Sequence, residues 1–322
     1  MNARGSTAAA GAVAPASPHV TILMAVRNGA ALLPEQLDSF ARQEHRNWSL
    51  LAGDDGSTDD SRAILERFAA AGHDVRILDG PRRGAWANFL RLVQALPGHA
   101  PPGTWVAFSD QDDVWLPERL SRGLAQLPAD GPPTLYCSRT WITDVRLRGR
   151  RLSAPRPRPP SFRNALVQNI ASGNTILLNP AAVRLLIAAS KEPEELVVHD
   201  WWVYLLITGA GGLVVHDDTP TILYRQHAGN QIGANDGMRA RLRRAGMILD
   251  GTFRSWHDAN IDALRRSAHR LTPENRQILD EFAALRGCWA GARVSRLARL
   301  GLYRQSRLSS LALWVAAASG RV

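Results

Sequence analysis

Cysteine is almost absent from this chain. Cys137 and Cys288 are the two in 322 residues, and they lie far apart with no metal-type spacing. They read as buried, reduced thiols, which fits a cytosolic setting. Lysine is scarcer still: Lys191 stands against 38 Arg, a bias expected of GC-rich coding sequence. No apolar run approaches the length of a membrane span. There is no Gly-x-Gly-x-x-Gly turn and no Gly-x-x-x-x-Gly-Lys-Ser/Thr loop, so the usual backbone cradles for dinucleotides and phosphates are excluded. No internal repeat, nucleic-acid-binding motif or nucleophile motif is present.

What remains is an ordinary apolar fraction of 45% and an unevenly placed net charge of +10. Residues 236–322 hold 16 Arg against 7 acids, and after Glu281 there are seven Arg and no acid. Such a tail can meet an anionic lipid surface, and with no nucleic-acid motif beside it the lipid reading is preferred. Residues 1–18 are rich in Ala, Gly, Ser and Pro, too broken for a signal peptide, and read as a disordered lead.

From Val20 onward, strand, turn and helix alternate. Apolar runs predict strands over 19–25, 48–52, 75–78 and 104–108, and helical spacing predicts helices over 32–44, 57–71 and 84–96. That alternation implies βαβ units and a mostly parallel sheet. Residues 134–145 read as strand material, 146–160 as an exposed basic, Pro-rich loop, and 174–178 as a strand. Helices follow over 180–190 and 197–208, with short strands over 212–215 and 221–225. Beyond Met238 the chain reads as helices, and its last stretch shows no clean apolar face. The expected organisation is a lead over 1–18, an α/β domain over 19–235 and a basic helical extension over 236–322.

Two acid clusters end predicted strands. In Phe108-Ser-Asp-Gln-Asp-Asp-Val-Trp115, three acids fall within four positions. Carboxylates crowded at the carboxyl end of a strand repel one another, and a divalent cation relieves that cost. Hard oxygen ligands suit Mg²⁺ or Mn²⁺ shared with substrate phosphates. A turn in which Asp113 caps a helix before Pro117 explains the same residues structurally. The second cluster, Gly53-Asp-Asp-Gly-Ser-Thr-Asp59, is either a capping turn or a carboxylate for a nucleobase NH or ribose hydroxyl.

Taken in order, Met24-Ala-Val-Arg-Asn-Gly29, Glu35-Gln-Leu-Asp-Ser39, the two acid clusters, His199-Asp-Trp-Trp202 and Tyr224-Arg-Gln-His227 resemble a family 2 glycosyltransferase of the GT-A fold. The nearest likeness is to the bacterial rhamnosyltransferase-like branch that builds surface polysaccharide. It covers roughly residues 19–235. The resemblance implies a Rossmann-like, mostly parallel mixed sheet flanked by helices, with a C-terminal helical extension. It implies that Ala25, Val26 and Arg27 line the nucleobase and ribose pocket, and that Asp55, with Asp54, takes the base or ribose. Asp110 and Asp112 would be the DXD pair, Asp112 the metal ligand and Asp110 nearer the ribose. Arg225 and His227 would sit near the diphosphate, with His227 in reach of the metal. Asp200 would be the general base. Trp201, Trp202 and Asn174 would stand on the acceptor side, where Ser172-Gly-Asn174 departs from the Gly-Cys pair common in relatives.

The implied activity is an inverting, metal-dependent transfer from dTDP-L-rhamnose, or from a UDP-hexose, to a saccharide or lipid-linked saccharide. The setting would be cytoplasmic, at the inner face of the plasma membrane, with no nucleic acid involved. A metal-dependent nucleotidyltransferase or phosphohydrolase is compatible with the acid clusters alone. A non-catalytic sugar-nucleotide-binding module is compatible with the fold alone.

Overall fold

The computed structural model describes residues 17–227 and 251–321. The expected lead, up to residue 16, and residues 228–250, which span the end of the expected α/β domain and the start of the basic tail, lie outside that range. The first half alternates as β1 (Val20–Val26), α1 (Leu33–Ala41), β2 (Trp48–Asp54), α2 (Ser61–Ala70), β3 (Val75–Asp79), α3 (Ala85–His99) and β4 (Trp105–Ser109). β1, β2 and β4 are nearly continuous buried runs, the pattern of strands covered on both faces. α1 opens with Pro34 in its first turn, where a missing N–H costs nothing. Gly84, with φ of 89°, makes the turn into α3 in a conformation that other residues rarely adopt.

The second half contributes β5 (Val114–Trp115), α4 (Arg119–Gln126), β6 (Thr134–Ser138), β7 (Trp141–Thr143), β8 (Arg151–Leu152), α5 (Phe162–Ala165), β9 (Leu177–Leu178), α6 (Pro180–Ala189), α7 (His199–Gly209), β10 (Leu213–Asp217) and β11 (Ile222–Arg225). The central sheet runs β10-β6-β9-β4-β1-β2-β3. Every pairing in it is parallel except those of β9, which is antiparallel to β4 and β6. A small second sheet runs β5-β11-β7-β8.

Strand alternation sorts the core onto two faces. Ile22, Met24 and Leu50 pack with Leu37, Phe40 and Leu65 of α1 and α2. Leu23, Leu51 and Phe108 pack with α3, α6 and α7 on the other face. Along the strands the side-chain period is two, so one run feeds both layers.

Three expectations change in detail. The strand material over 134–145 is two strands in different sheets, β6 and β7, because the chain turns at Arg139 and Thr140 to leave the central sheet. The stretch 174–178 begins as a 3₁₀ turn over Gly173–Thr175 and becomes strand at Leu177. The Pro-rich segment 146–160 carries the short strand β8, and Arg158 lies 3.9 Å over the ring of Tyr303, so its end is tied to the tail.

The tail forms α8 (Thr252–Arg266), α9 (Pro273–Ala284), α10 (Ala290–Leu300) and α11 (Arg307–Ala318). Gly301, at φ of 63°, ends α10 in the left-handed conformation. Leu264, Phe282, Leu297 and Leu313 join the same apolar cluster as Trp201 and Leu205, so the tail completes the core on the α7 face.

Candidate active site

Parallel register delivers the acids to one rim. β1 sets Val26 beside Asp54 and Met24 beside Ser109. Arg27, Asp55 and Asp110 are therefore the first residues beyond the carboxyl edge of adjacent strands, where open α/β sheets bind ligands. On this rim Val26 is buried, Ala25 half-buried and Arg27 exposed.

Asp54 and Asp55 are both buried and both engaged. The Ser57 N–H donates to Asp54 Oδ1 at 2.9 Å. The N–H groups of Arg82 and Gly84 donate to the two oxygens of Asp55 at 2.6 and 2.9 Å. Asp55 thus shapes the loop that leads into α3. Gly80 allows this: a Cβ there would stand 2.8 Å from the Cα of Asp55. Neither acid caps α2. That end is organised by Asp59, whose Oδ1 accepts from the Ser61 N–H at 3.0 Å.

The second rim cluster gathers Asp110, Asp112 and Asp113, each offering one oxygen within 4.8 Å of the others. Asp113 is wholly buried and does not cap α4. Its oxygens accept from Asn174 Nδ2 and, at 3.2 Å, from the Arg225 N–H. Asp110 and Asp112 are half-buried and so reach solvent. Pairing of β11 with β5 returns the chain to this point: Leu223 faces Val114, and two residues on Arg225 meets Asp113. His227 Nε2 then lies 2.6 Å from Asp112 Oδ2. The Arg225 guanidinium pairs with Glu35.

Crowding has an electrostatic cost. Burial, then the neighbouring Asp112 and Asp200, push the Asp110 carboxyl up to about 8. Burial, with Asp110 and Asp112 beside it, holds Asp113 well above the usual carboxylate range. This donor set fits a hard divalent cation: carboxylate oxygens, two of them solvent-facing, with an imidazole beside them and no thiol.

Asp200 stands in the first turn of α7 and senses Asp110 across the site. Burial pushes its carboxyl up to about 6, against the lowering effect of its hydrogen bonds. The Gly173 N–H donates to one oxygen at 2.9 Å and the Trp201 N–H to the other at 2.7 Å. Asn169 adds a side-chain bond. Its neighbour His199 is a core residue, stacked on Phe89 at 3.8 Å between centroids, and burial pushes it down to about 3.

The acceptor-side expectations are corrected by burial. Trp201 is 4% exposed and Trp202 1%, both within the core under α7, so neither offers a ring face to a sugar. Trp201 Nε1 donates to the Ala165 carbonyl at 2.7 Å. Asn174 is fully buried, and its amide braces Asp113.

Two contributors went unseen in the sequence. Gln111 accepts from the Arg27 N–H at 2.8 Å and donates to the Arg27 carbonyl at 3.0 Å, tying the β1 rim to the acid turn. A lone amide inside an acid run was the available signal. Arg119 is fully buried, and its Nη2 donates to the Thr175 carbonyl at 2.6 Å. It holds up the turn that supplies Gly173 to Asp200 and Asn174 to Asp113; nothing in its helical context marked it.

Known proteins similar to this chain include glycosyltransferases. The dTDP-rhamnosyl transferase RfbG of Shigella flexneri is 26% identical over 238 residues, 72% of this chain and 81% of that one. The Escherichia coli protein WfgD, a UDP-Glc:alpha-D-GlcNAc-diphosphoundecaprenol beta-1,3-glucosyltransferase, is 24% identical over 167 residues, half of this chain and 62% of that one. Among solved structures, S. aureus TarS 1–349 superimposes with a TM-score of 0.55 at 13% identity, covering 94% of this chain and 90% of that one. The shared fold is GT-A, as the sequence implied. A profile of glycosyl transferase family 2 matches residues 21–181, which carry β1, both acid clusters and the turn that holds Asp200. This chain belongs to glycosyl transferase family 2 and is an enzyme that uses nucleotide sugars.

Proposed function

We propose that the enzyme transfers L-rhamnose from dTDP-rhamnose, with inversion, to a lipid-linked saccharide in surface polysaccharide synthesis. The reaction would take place in the cytoplasm at the inner face of the plasma membrane. One observation carries the chemistry: Asp200, a half-buried carboxylate that burial pushes up to about 6, is held by two backbone N–H groups close enough to Asp110 for its charge to be felt there. A base poised near neutrality takes a proton effectively at working pH. The acceptor hydroxyl oxygen attacks C1 as the bond from C1 to the diphosphate oxygen breaks. Its proton passes to Asp200, and the nucleoside diphosphate leaves. A single displacement inverts the anomeric centre and needs no enzyme nucleophile.

Asp110 and Asp112 would hold Mg²⁺ or Mn²⁺, with His227 beside them and Asp113 bracing the turn from below. When bound, the cation supplies charge neutralisation for the leaving diphosphate. Ala25, Val26 and Arg27 form the rim against which the nucleoside would lie. Asp55 fixes the loop opposite, and each of its oxygens keeps a second lone pair for a base NH. Arg225, expected near the diphosphate, is fully buried at the foot of the acid turn and paired with Glu35, so it would position that turn rather than touch the diphosphate.

The rhamnosyl donor is supported by RfbG, whose match spans most of both chains. The name of WfgD supports the lipid-diphosphate acceptor and favours UDP-glucose as a second donor reading. Calorimetric titration of dTDP-rhamnose and UDP-glucose, with and without Mn²⁺, into wild type and Asp112→Asn decides between them. Metal-dependent binding of dTDP-rhamnose that requires Asp112 is expected. Tighter binding of UDP-glucose would move the assignment to the second reading, and binding indifferent to Mn²⁺ and to Asp112 would remove the metal.

A further inference from the structure

The sequence of the last helix had no clean apolar face, and the structure shows why. α11 is apolar on two sides. Leu313, Ala316 and Ala317 are buried in the core, while Leu308, Leu311 and Val315 are 65%, 60% and 62% exposed. The spacing 308, 311, 315 puts these three on one outward stripe, and exposed Ala318 extends it. The stripe runs along a helix about 18 Å long. Trp289, 77% exposed, lies just before α10. That end of α10 adjoins the last turn of α11, since Arg293 Nη2 donates to the Ala318 carbonyl at 3.1 Å.

A stripe of this kind needs an occupant, and charge identifies it. Arg307 begins the stripe, and Arg299 is exposed on the neighbouring helix. Among the described residues neither makes an ion pair, and no acid follows Glu281. Leu and Val on one face, a Trp at the margin and unneutralised Arg around them are the features of a helix lying in the headgroup region of an anionic bilayer. A second copy of the chain fits less well. A two-fold contact on this stripe would bring Arg307 and Arg299 of both copies into one interface, with no acid on α10 or α11 to offset them.

The position is also suited to the task. The tail and the segment over residues 164–168 are bolted together: the Gln305 N–H donates to Gln168 Oε1 at 2.8 Å, and Asn164 Nδ2 donates to the Tyr303 carbonyl at 2.9 Å. The next residue, Asn169, bonds Asp200. A bilayer held at α11 is thus connected through a few rigid bonds to the segment that positions the base.

We infer that the outward face of α10 and α11, with Leu308, Leu311, Val315, Trp289, Arg299 and Arg307, is a docking surface for an anionic lipid bilayer. This rests on the reading that the acceptor is carried on a lipid. The test is co-sedimentation of the full chain with neutral phosphatidylcholine vesicles and with vesicles containing phosphatidylglycerol. Wild type should pellet with the anionic vesicles and not with the neutral ones. Leu311→Glu/Val315→Glu and, separately, Arg299→Glu/Arg307→Glu should each weaken binding more than tenfold, since one basic residue near such a surface strengthens binding about fivefold. Thermal melting and donor titration on the same preparations should be unchanged, as none of these residues touches the cleft. Wild type that stays in solution, or variants that pellet like wild type, would overturn the inference. So would a wild-type dimer in light scattering that Leu311→Glu/Val315→Glu splits, which would assign the stripe to a second copy. Failure of donor titration with vesicle binding intact would instead count against the proposed reaction.

Discussion

At the scale of single residues, the site turns on which carboxylates are free to act and which are held. Asp200→Asn keeps the size of the base, removes its proton affinity and gives up one of its two backbone N–H bonds. Turnover should fall by about 10²–10⁴-fold, with donor affinity within a few-fold of wild type; kcat and donor Kd measured side by side check this. The raised carboxyl also sets a pH limb. Asp200 is protonated below about 6 and cannot accept the acceptor proton. Turnover should therefore rise with pH through about 6 and then level, and the limb should vanish in Asp200→Asn. Gln111→Ala removes two bonds to the Arg27 backbone, each worth about 1 kcal/mol. Donor KM should rise about tenfold or more while kcat changes little, because the rim loses its shape and the base is untouched. A fall in kcat at unchanged KM would count against this role.

At the scale of elements, legibility followed periodicity. β1, β2 and β4 were readable because central strands are continuous apolar runs, and α1 to α3 because their apolar positions recur at helical spacing. The rim position of both acid clusters followed from that alternation alone. The pairing of β11 with β5 did not, since it joins residues more than a hundred positions apart and leaves no local trace. For the same reason Asn174, Trp201 and Trp202 looked like acceptor-side residues, when Asn174 is the buried brace of Asp113 and the two tryptophans are core. Local sequence says that a residue is polar or aromatic; which layer covers it is a property of the whole sheet. The loop from Gly80 to Gly84 gives an element-scale test. Asp55→Ala leaves the Arg82 and Gly84 N–H groups without their charged acceptor. A stability loss of about 1–3 kcal/mol is expected, with weaker donor binding, since charged hydrogen bonds carry about that much. Urea melts and nucleotide titration measure the two effects separately.

At the scale of the whole molecule, the basic helical tail is part of the folded unit. Leu264 is fully buried in the cluster that contains Trp201 and Leu205 of α7. Leu264→Ala should cost about 2–5 kcal/mol, as for other large-to-small changes in a packed core. Chemical denaturation should show one cooperative transition moved to lower denaturant. A second, separate transition for the tail would show that it folds independently.

Trp289 has one more consequence. Its indole packs against Gly291, where a Cβ would come within 2.0 Å of the ring, and the other nine tryptophans are buried or half-buried. The protein therefore carries its own optical reporter. The long-wavelength edge of its fluorescence belongs mainly to one water-facing indole at the end of α10. Quenching by a small soluble anion, or a blue shift on transfer of that indole out of water, would register events at this corner of the molecule without any label.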